Sequence, residues 1–218
     1  MRWNDYGMRA VIVCLCAATT ALVSAVAALA APDAAVNLIV NGNAEQGEGV
    51  NDVNGIATEI PGWTRKGNFT VVRYGAPDFP SPELSTKIRG GQNFFAGGPK
   101  NVNSSIRQDI DVVSKKGLID AGKARATLTG YLGGYATQTD WLRATALFMS
   151  ESGKPLGVIK IQSPAPASRN NTTDLVRKTT TGLVPKRTRM IRVVLSASRG
   201  AGEYNDGYAD NLSLTIGR

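Results

Sequence analysis

Tyr204-Asn205-Asp206-Gly207-Tyr208-Ala209-Asp210-Asn211-Leu212-Ser213-Leu214-Thr215-Ile216 decides the fold. Leu212, Leu214 and Ile216 recur with period two, which puts them on one face of a β-strand. Asn205-Asp206-Gly207 is turn chemistry, since Asn, Asp and Gly tolerate positive φ. The stretch therefore reads as a polar turn running into a final strand. Asp210 falls at the junction, where the scaffold would hold its carboxylate.

The same period recurs upstream. Ile191, Val193, Leu195 and Ala197 alternate with Arg192, Val194 and Ser196. Leu142, Ala144, Ala146 and Phe148 alternate with Trp141, Arg143, Thr145 and Leu147, and Glu151-Ser152-Gly153-Lys154 turns that strand back into Leu156–Ile161. Ala124–Leu132 and Ile106–Val112 alternate likewise, Gln108 being an inward or edge exception. Further strands are expected over Val36–Val40 (closed by Asn41-Gly42-Asn43), Phe69–Tyr74, Asn93–Ala96 and Leu175–Leu183. Gly75–Gly91, with Pro77, Pro80 and Pro82, reads as a long connection, and long connections are often functional. No stretch after residue 30 keeps a 3.6-residue apolar period over three turns. Nine or ten short strands with Gly- and Pro-rich turns predict an all-β fold, a two-sheet antiparallel sandwich or barrel, in one domain.

Residues 1–30 read as a signal peptide. Arg2 and Arg9 form a basic start, Ala10–Leu29 is uncharged and apolar, and Ala28-Leu29-Ala30 is a small-residue cleavage site. The alternative is an uncleaved anchor, because the apolar stretch is long enough to span a bilayer. Cys14 and Cys16 both lie in this leader, so the exported domain, 37–218, is expected to fold without disulfides. The net charge of +8 favours anionic partners or simple solubility. Its cations are scattered, and no nucleic-acid-binding motif appears.

The 218-residue sequence contains no His. Beyond the leader, this leaves neither imidazole bases nor thiolate nucleophiles, nor the His and Cys ligands of zinc and copper sites. Carboxylate chemistry remains. Paired acids could hydrolyse a glycosidic bond. Carboxylates with amide and carbonyl oxygens could instead hold calcium. Asn43, Glu45 and Asp210 are the candidate ligands for such an ion, against the plainer reading that Asn43 and Asp210 brace turns. The aromatics form a second set. Tyr131, Tyr135, Trp141, Tyr204 and Tyr208 lie beside Gly-rich turns or at strand ends, where flat rings with a polar handle can stack on sugars. Trp63, after Pro61-Gly62, is expected in the core.

Three segments together resemble a known family. Asn37-Leu38-Ile39-Val40-Asn41-Gly42-Asn43-Ala44-Glu45 is similar to the opening of carbohydrate-binding-module-like jelly rolls, and Pro61-Gly62-Trp63 follows as it does there. Thr181-Gly182-Leu183-Val184-Pro185 with Ile191-Arg192-Val193 resembles their penultimate hairpin, and Ala209-Asp210-Asn211-Leu212-Ser213-Leu214 their closing strand. The resemblance, to CenC-type and other galactose-binding-domain-like modules, runs from Asn37 to Ile216. It implies a jelly-roll β-sandwich, with Glu45 and Asp210 matching the acidic ligands of a structural calcium. It matches no aromatic to a sugar subsite. The expectation is an exported, non-catalytic carbohydrate-binding protein, secreted or in the periplasm or envelope, binding a polysaccharide or glycan and not nucleic acid. The alternatives are an envelope protein-interaction domain and a carboxylate-dependent glycan hydrolase.

Overall fold

The computed structural model describes Met1 and residues 36–218. The expected leader, apart from Met1, lies outside the described residues, and among those described no helix is long and apolar enough to cross a membrane. The elements are β1 (Thr64–Lys66), β2 (Thr70–Arg73), α1 (Pro82–Ile88), β3 (Asn93–Pro99), β4 (Asn103–Asp111), α2 (Lys116–Asp120), β5 (Arg125–Gly134), β6 (Trp141–Ser150), β7 (Pro155–Gln162), β8 (Asp174–Leu183), β9 (Thr188–Ser198) and β10 (Tyr204–Gly217). They make two five-stranded sheets, in the orders β1-β4-β9-β6-β7 and β2-β3-β10-β5-β8, with every neighbouring pair antiparallel. This is the expected all-β, two-sheet jelly roll.

The inward residues of both sheets form the main core. Leu128 and Leu132 of β5 and Leu214 of β10 face Phe148 of β6 and Ile191 and Leu195 of β9. Each contributes about 1.5–3 kcal/mol through burial. The strands expected around these residues are present, and Phe148 points inward, leaving Trp141 outward.

A second, smaller core lies on the outer face of the β10 sheet. Phe94, Tyr204 and Tyr208 there are covered by Ala76, Phe79, Leu84 and Ile88. The cover comes from the Gly75–Gly91 connection, which contains α1 rather than being wholly irregular. Its start was readable: Ser81 caps the helix by accepting from the Leu84 N–H, Pro82 opens it, and Glu83 lies in the first turn.

β10 serves both cores because it changes parity. Tyr204 and Tyr208 face the outer core, while Ala209 faces the main one. The register then shifts between Asp210 and Ser213, with Asn211 at φ 50°, a one-residue bulge. After it, Leu212, Leu214 and Ile216 face inward.

Two expectations need correction. Asn205-Asp206-Gly207 is not a turn but the interior of β10, and Asp210 is mid-strand. Each polar residue finds a partner distant in sequence: Asn205 Nδ2 donates to Val102 O at 3.1 Å, and the Asp206 N–H to Asp140 Oδ2 at 2.6 Å. Gly207 is needed for space, since a Cβ would lie 2.6 Å from the Trp141 carbonyl oxygen. Nor does Val36–Val40 form a strand. Side-chain amides replace the ladder. Asn37 Oδ1 accepts from the Leu214 N–H at 2.9 Å and its Nδ2 donates to Leu212 O at 3.0 Å. The Gln108 amide brackets Val40, accepting from its N–H and donating to its carbonyl, both at 3.0 Å. The segment thus runs beside β10, with Ile39 in the main core.

Candidate functional site

A cleft of ≈ 270 Å³ opens at one end of the sandwich, lined by Val53, Asp78, Phe79, Tyr135, Gln138, Glu203, Tyr204 and Asp206. Ligand pockets for drug-sized molecules run to roughly 300–1,000 Å³, so this one suits a single ring. β10 supplies Tyr204 and Asp206 from its first residues. The β5–β6 connection supplies Tyr135 and Gln138, and the covering excursion supplies Asp78 and Phe79. Asp140 anchors the arrangement, its carboxylate accepting N–H bonds from Gly200 (2.8 Å), Ala201 (2.9 Å) and Asp206 (2.6 Å).

The electrostatics of the cleft are those of crowded acids. Burial pushes the Asp206 carboxyl up to about 7, the charges of Asp140 and Asp78 add to the rise, and the hydroxyl of Tyr208, donating to Asp206, works against it. The Tyr204 hydroxyl is also raised, by burial and then by Asp206 and Asp52. It is buried and, among the described residues, has no hydrogen-bond partner, and neither has Gln138 Oε1. Unpaired buried polar atoms cost about 1–3 kcal/mol each, and those lining a cleft are open to a partner from water or a ligand.

Glu45 and Asp210 converge elsewhere, around the Gly90–Gly91 peptide. A Cβ at Gly90 would lie 2.5 Å from Asp210 Oδ2, and one at Gly91 2.6 Å from Glu45 Cδ. Glu45 Oε1 accepts from the N–H groups of Gln92 (2.9 Å) and Asn93 (2.8 Å). Asp210 is fully buried and accepts from the Tyr74 hydroxyl (2.7 Å) and the Asn211 N–H (2.6 Å). Burial, with a contribution from Glu45, pushes its carboxyl up to about 8 against the lowering effect of those two bonds. Asn43 is exposed, whereas Asn93 Oδ1 is buried without a partner. Among the described residues, no group of three or more His, Cys, Asp or Glu could hold a metal ion.

The five aromatics part company. Tyr135 is half-buried in the wall of the end cleft. Tyr204, expected in an exposed loop, is instead buried in β10, with Phe79 edge-on to its ring at 5.2 Å. Tyr208 is a clear correction: it has no exposed surface, and its ring packs edge-on to Phe94 at 5.2 Å, so it cannot stack on a ligand. Tyr131 is half-buried, cross-strand from Asp210 and Arg177. Trp141 lies on the other sheet, with the Arg143 guanidinium 4.8 Å from its ring centre, beside a shallow hollow that Lys66, Ser105 and Ser196 also line. Sequence reasoning missed Asp78, Phe79, Gln138, Glu203 and Asp206. Asp206 stood in the decisive stretch, but read as a turn residue it carried no signal of burial.

No family model and no curated protein matches the chain. Solved structures do. The second family 16 carbohydrate binding module is 18% identical, with 82% of this chain covering 99% of that one at a TM-score of 0.50. TmCBM61, solved with β-1,4-galactotriose, is 15% identical over 84% of this chain and 99% of that one, at a TM-score of 0.48. The enzymatically active domain of bacteriophage CBA120 tailspike protein 4 is 16% identical over 83% of this chain, at a TM-score of 0.46, and the chain spans only 21% of its length. The family 16 likeness bears on architecture alone, and it agrees with the two-sheet antiparallel jelly roll that the strand order gives.

Proposed function

We propose that this is an exported, non-catalytic carbohydrate-binding domain that takes a sugar ring in the end cleft. The observation that carries the reading is the unpartnered Tyr204 hydroxyl, buried in a cleft walled by Tyr135, Phe79 and carboxylates. Tyr135 offers a ring to stack on, and Asp78, Glu203 and Asp206 offer acceptors for sugar hydroxyls. The fold shared with a carbohydrate binding module supports the same reading. A glycan array with purified domain tests it. Binding should be lost in Tyr135→Ala and kept in Trp141→Ala; binding unaffected by Tyr135→Ala moves the site elsewhere, and no binding at all removes the reading.

Structural calcium belongs to the proposal. Among the described residues the two carboxylates beside Gly90–Gly91 are in no ion pair, and they would be the acidic ligands, while Asn43 is exposed. With only two acidic groups, backbone carbonyls and water would complete the shell. The ion would supply positive charge between the two carboxylates; Glu45 itself holds the start of β3 through two N–H bonds, and Asp210 ties β10 to Tyr74 just after β2.

A hydrolase is the second reading, favoured by one observation. The Asp206 carboxyl, raised to about 7, has the character of a general acid beside other acids. Reducing-end release from polysaccharides, abolished by Asp206→Asn, would establish it; the absence of turnover eliminates it.

A further inference from the structure

The cleft is acidic in a basic protein. The chain carries +8 overall, yet Asp78, Glu203 and Asp206 line this one opening. The charges of Asp52 and Asp140 also reach its side chains, acting on Tyr204 and Asp206 respectively. Among the described residues, no Lys or Arg lines it. Among the described residues, none of these five carboxylates is in an ion pair. The two nearby guanidiniums are directed to backbone oxygens: Arg199 donates to the Glu203 carbonyl at 2.6 Å and Arg169 to the Gln138 carbonyl at 3.3 Å. The fold has thus left several carboxylates together without a counter-charge.

The unpaired atoms point the same way. Ionised carboxylates only accept, and the cleft adds the vacant oxygens of Gln138 and Tyr204. A neutral sugar hydroxyl both donates and accepts. An ammonium group only donates, three times over, so it matches a wall in which acceptors outnumber donors. The aromatic faces of Phe79, Tyr135 and Tyr204 add a surface that attracts cations.

We propose that the end cleft is specific for a sugar bearing a free protonated amine, a 2-amino-2-deoxy sugar rather than its N-acetylated or neutral counterpart. The inference rests on the glycan-binding reading above and names the class of sugar. The ammonium sits against Asp78 and Glu203 at the mouth, Tyr135 stacks on the ring, and Tyr204 and Gln138 take the remaining hydrogens. Charge-assisted bonds in a partly dry site are stronger than neutral ones, so discrimination of about tenfold or more is expected.

The test is calorimetric titration of the whole exported domain at pH 7 with glucosamine tetramer, N-acetylglucosamine tetramer and cellotetraose. The glucosamine tetramer should bind at least about tenfold tighter than the other two. Its advantage should shrink as salt rises from 50 to about 500 mM. It should also collapse in the Asp78→Asn/Glu203→Gln double variant, whose substitutions lie at the open rim and spare the buried Asp140–Asp206 bonding. Equal binding of all three oligosaccharides overturns the amine preference and leaves glycan binding standing. Binding to none overturns both. An amine preference that survives the double variant but is lost in Trp141→Ala places it on the other sheet and overturns the assignment to this cleft.

Discussion

Asp206→Asn, followed across pH, probes the crowding of acids directly. Asp206 is nearly buried, and its carboxyl is raised from 3.8 to about 7 by burial first and then by Asp140 and Asp78. Between those two values the folded chain holds a proton that the unfolded chain has released. Stability must therefore fall as pH climbs from about 4 to about 7, and level off above. The gap of about three pH units, at about 1.4 kcal/mol each, sets a ceiling of about 4 kcal/mol. Residual solvent at the cleft reduces this to about 2–4 kcal/mol. Asparagine keeps an oxygen for the Tyr208 hydroxyl and carries no charge. The variant should therefore be close to the parent at pH 4.5 and about 2–4 kcal/mol more stable than it at pH 8.5. Urea unfolding followed by fluorescence, run on both proteins at six pH values, measures the difference. Asp210 titrates in both and cancels in the subtraction. A difference that stays flat from pH 4.5 to 8.5, or that turns against the variant as pH rises, would refute the reasoning.

Three further outcomes are expected. Calcium at millimolar concentration should raise the melting temperature of the parent, EDTA should reverse the gain, and Asp210→Asn should abolish it, because an ion bound only by the folded state stabilises it; a melting temperature indifferent to both additions removes the ion. Asn211→Val should lose about 1–3 kcal/mol, since a β-branched residue is strained at φ 50° and the bonds from Asn211 Nδ2 to the Ile88 and Arg89 carbonyls disappear, whereas Asn211→Gly should fare better than Asn211→Val; chemical denaturation ranks the three proteins. Leu128→Ala, in the middle of the main core, should cost about 2–5 kcal/mol with no change in sugar affinity, separating scaffold from site.

Period-two alternation made most of the sandwich legible, because strands with one wet face must write it in their sequence. β6 and β9 are where the alternation placed them, and β7 is where the hairpin turn at Glu151–Lys154 returned the chain. It failed where side chains do the work of backbone. Asn37 and Gln108 use their amides to hold Val36–Val40 without a ladder, and nothing in an Asn or a Gln announces that role. It failed again at Asn205-Asp206-Gly207, where turn-forming residues are buried in a strand because Val102 and Asp140, far along the chain, and Tyr208, two residues on, satisfy them. The convergence of Glu45 and Asp210 was readable through family likeness, and the Gly90–Gly91 pair between them was not, since the reason for each glycine is a carboxylate distant in sequence, Asp210 for Gly90 and Glu45 for Gly91. The end cleft was half-legible. Tyr135 and Tyr204 were named for their rings, but the carboxylates around them come from separate connections that only the folded chain assembles.

The bulge at Asn211 gives β10 something like a reading frame. Upstream of it, alternate residues belong to the outer core and the cleft; downstream, they belong to the main core. Loss of that single residue would rotate one half of the strand against the other, driving Leu212, Leu214 and Ile216 to the wet face or Tyr204 and Tyr208 into the sandwich. An insertion of one residue nearby would do the same in reverse, while two compensating changes would restore both faces. Length variation in descendants of this chain is thereby steered away from β10 and into the excursion over Gly75–Gly91, whose reach then governs how much of the outer sheet is open to ligands.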